Sequence, residues 1–314
     1  MRNVLNRLLS RPSARRLAPA LPLVGLATLG ASPASALILS GDSDRALLAP
    51  PLEAFGTWGN NAAAVAIGPN HVITTRHQDG DGANPALRNV TIDGTTYRAA
   101  SQDFFEPAGQ RWDVRLVELE NLDGTPANLD TFLPIWNRDT GGSVVGQRGT
   151  LVGYGVNGTN GTAAGFDWTS PLNNSYPIQL GENVIQGTAL QNDGDFDNTP
   201  LLVLDFDNAD SGLHRESTVG PGDSGGGLLT FRYDQWWLVG LPNAVDTPST
   251  LSQPDAFFGQ SFTAVDLTAL GSSIESSIGG GFSFDTPRAI PEPASAAIAL
   301  VGLAALRRRR GPAA

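Results

Sequence analysis

The chain of 314 residues carries 20 basic side chains, every one of them arginine, against 31 acids, for a formal net charge of −11, and it has no cysteine. The acid excess argues against nucleic-acid binding, which needs a basic surface to neutralise phosphates. The missing cysteines exclude disulfides, cysteine metal sites and a cysteine nucleophile, so the fold must hold by core burial alone.

At the N-terminus, residues 1–16 carry Arg2, Arg7, Arg11, Arg15 and Arg16, the apolar run LAPALPLVGLATLG follows, and ASPASAL sets Ala34 and Ala36 in the small-x-small pattern of signal-peptidase cleavage. The apolar run is shorter than the ~20 residues a membrane span needs. A signal peptide over 1–36 is therefore expected, with the exported chain beginning near Leu37. From Leu37 to Ile290 stand 11 arginines and 30 acids, a net charge of −19, which favours solubility outside the cell. A body of about 250 residues can bury one large core or two small ones.

Along that body run short β-branched stretches, AAAVAIG, HVITT, VTIDG, VRLVELE, GTLVGYG, PLLVLDF and WWLVGL, each bounded by turn formers. They predict many short strands and an all-β barrel or sandwich. The stretch from Asn157 to Asp195, rich in Asn, Gly and Asp, reads as surface loops. NDGDFDN, with Asp193, Asp195 and Asp197, hints at a calcium loop but lacks the Gly at position six and the Glu at twelve of the helix-loop-helix version. It is read as a solvated acidic loop, with no metal. From Ser261, SFTAVDLTALGSSIESSI sets Val265, Leu267, Leu270, Ile274 and Ile278 close to one face at helical spacing, which predicts a terminal helix. GGGFSFDTPRAI, residues 279–290, opens on three glycines and reads as a flexible linker.

The final residues combine Pro291-Glu292-Pro293, an apolar run from Ala294 to Leu306 and a basic block from Arg307 to Arg310. That order resembles the PEP-CTERM sorting signal of Gram-negative bacteria, over 291–314. The resemblance implies transient membrane association through the tail, cleavage near the Pro-Glu-Pro by an exosortase, and a destination at the cell surface or in the extracellular matrix.

The chemistry-bearing residues are few. Of the histidines His71, His77 and His214, His77 follows a β-branched run and precedes a Gly/Asp turn. Asp113 stands directly before an alternating strand, and Ser224 sits among glycines in GPGDSGGGLL. Glycine serves where backbone takes positive φ or must approach closely, at an entropic cost, so this stretch is a turn or a site. Acyl transfer needs a hydroxyl activated by an imidazole, a carboxylate that orients the imidazole, and amide donors for an oxyanion. All three side-chain types occur, in the order His, Asp, Ser.

VITTRH, WDVRLVEL and GPGDSGGGL resemble the three signature segments of the chymotrypsin-like serine proteases, and the resemblance spans roughly Asn60 to Ile278. It implies two six-stranded antiparallel β-barrels with the site in the cleft between them, a C-terminal helix, a protease domain over 37–278 and a barrel boundary near 135–150. His77 is then the general base, Asp113 its orienter and Ser224 the nucleophile, with the Gly222 and Ser224 amides as oxyanion hole. Thr218, six residues before Ser224, would sit at the base of the specificity pocket. Asp223 would pair with an amine freed at Leu37, which lies 40 residues before His77. The match departs from the family at Thr75 and Arg76, where alanines are common, and at Pro242 and Asn243 in the pocket wall. A protein or peptide is the implied substrate, and no cofactor is called for. The rival expectations are a catalytically silent homologue that binds proteins in its cleft, and a structural component of an extracellular matrix.

Overall fold

A computed structural model describes residues 37–41, 48–59, 62–78, 89–156, 158–162, 164–168, 177–207, 213, 215–246 and 254–278. The expected signal peptide, linker and sorting tail, together with Asn60 and His214, lie outside the described residues. Strand β1 (Ile38–Gly41) comes first. After it, β2 (Phe55–Trp58), β3 (Ala62–Gly68), β4 (His71–Thr74), β5 (Asn89–Ile92), β6 (Thr95–Phe104) and β7 (Arg115–Glu120) close into an antiparallel barrel, in the order β2-β3-β4-β7-β6-β5.

Local sequence explains the closure. Asp93 and Gly94, both at positive φ, form the two-residue hairpin between β5 and β6, a turn whose twist matches that of the strands. β3 is buried along its whole length, and alanine at 62, 63, 64 and 66 lets another part of the chain pack directly on it. That neighbour is the Ser224 turn, whose carbonyl accepts a hydrogen bond from the Ala63 amide at 2.8 Å.

Residues 121–147, which include the short helix α1 (Arg138–Gly141), lead to the second half. Its strands are β8 (Arg148–Gly153), β9 (Gly158–Thr162), β10 (Gly165–Trp168), β11 (Gln179–Val184), β12 (Gly187–Asn192) and β13 (Asp197–Phe206). They continue with β14 (Arg215–Thr218), β15 (Gly227–Arg232), β16 (Gln235–Val245), β17 (Ala256–Phe257) and β18 (Gln260–Asp266). Nine strands make one sheet in the order β1-β14-β11-β8-β15-β16-β18-β13-β12, and a small sheet β17-β10-β9 stands apart from it. The large sheet curls on itself: Asn183 of β11, fully buried, donates from Nδ2 to the carbonyls of Ser217 and of Asp205, so one amide joins β14 and β13. The architecture is the expected all-β pair of barrels with a C-terminal helix, the first closed and the second a curled half-barrel.

Two local expectations change. The segment from Ser261 is not helical throughout, because Phe262 and Val265 pair with β13 and β16 as part of β18. Asp266 then accepts from the Thr268 amide and starts a single 3-10 turn, and only Gly271–Ser277 forms the helix α2. The apolar residues at helical spacing are all buried, but three of the five, Val265, Leu267 and Leu270, reach the core from strand and turn. The span 157–195 holds four strands rather than loops alone. β9 and β12 are sheet edges, and β12 is exposed along most of its length, so polar residues suffice there and the usual β-branched signal is absent.

Candidate active site

Three side chains distant in the chain meet between the two halves. His77 follows β4 and Asp113 precedes β7; Thr74 pairs with Arg115, so these neighbouring strands bring both residues to the same end of the closed barrel. His77 Nδ1 lies 2.7 Å from Asp113 Oδ2, and the His77 amide donates to Asp113 Oδ1 at 2.8 Å. On the other side of the ring, His77 Nε2 is 3.1 Å from Ser224 Oγ. A carboxylate beside Nδ1 selects the tautomer with its proton on that nitrogen, leaving the Nε2 lone pair toward the hydroxyl.

Asp113 is fully buried, and a buried carboxylate is stable only when its oxygens are paired. Beyond His77, Asn243 Nδ2 lies 3.5 Å from Asp113 Oδ2. Asn243 is itself fixed, accepting from Thr263 Oγ1 at 2.7 Å and donating to Gln191 Oε1 at 3.2 Å. The Asp113 amide donates to Thr199 Oγ1 at 3.0 Å. Sequence reading placed Asn243 only in a pocket wall; its signal was a lone amide inside the apolar run LVGLPNAV. Gln78 was also missed, and its Nε2 comes within 2.8 Å of His77 Nε2, competing with Ser224 for one lone pair.

The glycines around Ser224 have separate reasons. Gly225 has φ +78°, and a Cβ there would stand 2.2 Å from Thr74 Oγ1 and 2.4 Å from the Ala63 carbonyl oxygen, so neither backbone nor space admits a side chain. Its amide donates to the Pro242 carbonyl at 3.0 Å. Gly222 has φ +95°. Among the described residues, the amides of Gly222 and Ser224 donate to no protein acceptor.

Beside Ser224 opens a pocket of about 180 Å³, lined by Val219 and Pro221, by Pro242, Asn243 and Val245, and by Trp168 of the small sheet. Among the described residues no charged side chain lines it. Thr218, expected at the base of this pocket, is not part of its lining: it is fully buried in β14, and its Oγ1 has no partner among the described residues.

Asp223 is fully buried. Its Oδ1 accepts from the Gly155 amide at 2.8 Å and its Oδ2 from the Gly220 amide at 2.9 Å. Burial outweighs these amides and lifts the carboxyl to about 7. Leu37 is near. A Cβ on Gly153 would lie 2.0 Å from Asp223 Oδ1 and 3.0 Å from Leu37 Cδ2, and Leu37 is buried with φ +64°.

In the acidic loop, Asp193 Oδ1 accepts from the amides of Asp195 and Phe196, so it caps a turn. Among the described residues, Asp205, Asp207 and Glu216 bring carboxylate oxygens within 4.8 Å of one another, and Glu216 accepts from the Asp207 amide. No protein-family model and no curated protein sequence matches the chain.

Proposed function

We propose that the protein is a serine endopeptidase of the chymotrypsin-like kind, exported and sorted to the cell surface, that cleaves peptide bonds through an acyl-enzyme. One observation carries this reading: the contact chain Asp113 Oδ2 to His77 Nδ1 at 2.7 Å and His77 Nε2 to Ser224 Oγ at 3.1 Å. In the proposed cycle Ser224 Oγ attacks the scissile carbonyl while His77 Nε2 takes its proton. Asp113 keeps the ring oriented and stabilises the imidazolium that forms. The unengaged amides of Gly222 and Ser224 receive the oxyanion. His77 then returns the proton to the leaving amine, and water repeats the sequence to free the acid.

Two further assignments belong to this proposal. The uncharged pocket beside Ser224 takes the side chain preceding the scissile bond. Asp223 receives the amine released at Leu37 by signal peptidase, a cation that would offset the burial of its carboxylate.

The Gln78 contact on His77 Nε2 favours a second reading, a silent homologue whose imidazole is occupied and whose cleft binds proteins. Labelling with a fluorophosphonate separates the two. Covalent modification that disappears in Ser224→Ala, with casein degraded by the wild type alone, is expected. Folded protein beginning at Leu37 that stays unlabelled overturns the enzyme. Mass spectrometry of the exported protein tests the sorting assignment, with ends expected near Leu37 and the Pro-Glu-Pro.

A further inference from the structure

We propose that Arg115 and Arg76 form an internal strut that positions the imidazole of His77; the inference rests on the proposed role of His77 as base. Arg115 is among the largest fully buried side chains, and its Nη2 donates to the carbonyl of Arg76 at 3.0 Å. That carbonyl belongs to the peptide joining Arg76 to His77, so the guanidinium holds the backbone from which the imidazole springs. The head group of Arg115 is flanked by aromatic rings, 5.2 Å from the Trp58 centroid and 5.3 Å from that of Phe104. Arg76, also buried, lies over Phe104 at 4.2 Å and reaches Glu106 Oε1 at 2.9 Å. Trp58, Arg115, Phe104, Arg76 and Glu106 thus form one continuous ladder from barrel core to surface.

The register explains how the ladder holds both halves of the Asp–His pair. Arg115 is the cross-strand partner of Thr74 and of Phe104, two residues after Asp113 and directly opposite the end of the strand that delivers His77. Burying a guanidinium is expensive compared with an apolar side chain of similar volume. An apolar residue at 115 would fill the barrel, but it could neither donate to the Arg76 carbonyl nor stack as a cation on Trp58 and Phe104. A donor at that site resists rotation of the Arg76–His77 peptide. A rotation that moved the imidazole by about 1 Å would lower turnover on the order of a hundredfold without altering the substrate pocket. Both arginines are positioning residues, since they act through His77.

The test compares wild type with Arg115→Met, Arg115→Lys and Arg76→Met, all as the chain beginning at Leu37. Two readouts are taken. One is the downfield proton resonance of the His77 Nδ1–H, identified by its absence in His77→Gln. The other is the division of any activity loss between kcat and KM on a chromogenic ester. Arg115→Met is expected to broaden or lose the resonance and to lower kcat at least about tenfold with KM little changed, while Arg115→Lys, which keeps a donor, restores most of both. A folded Arg115→Met with the resonance intact and kcat near wild type overturns the strut. Should Arg115→Met not fold, Arg76→Met and Glu106→Gln probe the outer rungs; a smaller change of the same kind supports the strut, and no change in either overturns it. The resonance reports the His77–Asp113 bond whether or not the protein hydrolyses anything. A wild type that shows the resonance but takes no fluorophosphonate refutes the enzyme while the strut is still decided.

Discussion

The amide of Ala63 donates to the carbonyl of Ser224 at 2.8 Å, and Thr74 Oγ1 donates to the carbonyl of the same Ala63 at 2.7 Å. The Ser224 turn of the second half is therefore bonded to β3 of the closed barrel, one strand away from the strand that delivers His77. Gly225 fits into the remaining space, and its amide returns to the curled sheet at Pro242. The geometry of the site is thus set where the two halves touch.

Substitution at Gly225 follows from this contact. Alanine there is strained at φ +78° and collides with Thr74 and Ala63, so Gly225→Ala is expected to destabilise by about 3 kcal/mol or more and to abolish fluorophosphonate labelling. Thr74→Val, which removes only the hydroxyl, is expected to cost about 1 kcal/mol. Urea denaturation read beside the labelling rate checks both.

Asn243 supports the carboxylate of Asp113 through one long hydrogen bond. Removing it in Asn243→Ala is expected to lower kcat about tenfold or less, because the shorter contacts to His77 persist. Asn243→Asp places a second carboxyl against the first and is expected to do more damage. Rate profiles of both against wild type provide the measurement.

Gln78 competes for the His77 Nε2 lone pair that the proposed cycle needs. Gln78→Ala is expected to speed labelling about threefold, the worth of a weak neutral hydrogen bond. A slower reaction would mean that Gln78 steadies the imidazole instead.

Asp223 ties stability to pH. Its carboxyl is raised from 3.8 to about 7, so its contribution is complete below 3.8 and is lost as pH rises through about 7. In a chain extended ahead of Leu37, the melting temperature is expected to fall across that window. Asp223→Asn flattens the fall, although the amide cannot accept from both Gly155 and Gly220 and costs about 1–3 kcal/mol. A chain beginning at Leu37, with its amine free to pair, is expected to fall less than the extended one. Melting curves of the three proteins from pH 4 to 8 decide it, with full activity in the extended chain as the result that removes the pairing.

What could be read in advance divides along physical lines. The interior strands of both halves were legible from short β-branched runs between turn formers, since burial of alternating side chains leaves that mark. The polar edge strands β9 and β12 left none. Ser224 was visible because its glycines mark a turn or a site, and His77 and Asp113 because they stand at strand ends with the side-chain types that acyl transfer needs. Arg115 was visible in principle: in VRLVELE it shares its face with Val117 and Leu119, both buried, which puts a cation on the core side. Trp168 was not, because its value arises only when β10 is folded toward Ser224, and Asn243, expected in the pocket wall where it lies, gave no sign of its contact with Asp113. The α2 face was read at the correct residues but with the wrong backbone, since Val265, Leu267 and Leu270 reach the core from a strand and a 3-10 turn.

Among the described residues, no fixed charge lines the recess beside Ser224. On the proposed reading, selection there weighs contour, hydrophobicity and the neutral polar groups of Asn243 and Trp168, and each methylene more or less is worth about 1–3 kcal/mol. A hydrolase of the proposed kind would then rank side chains at this recess by fit rather than by charge.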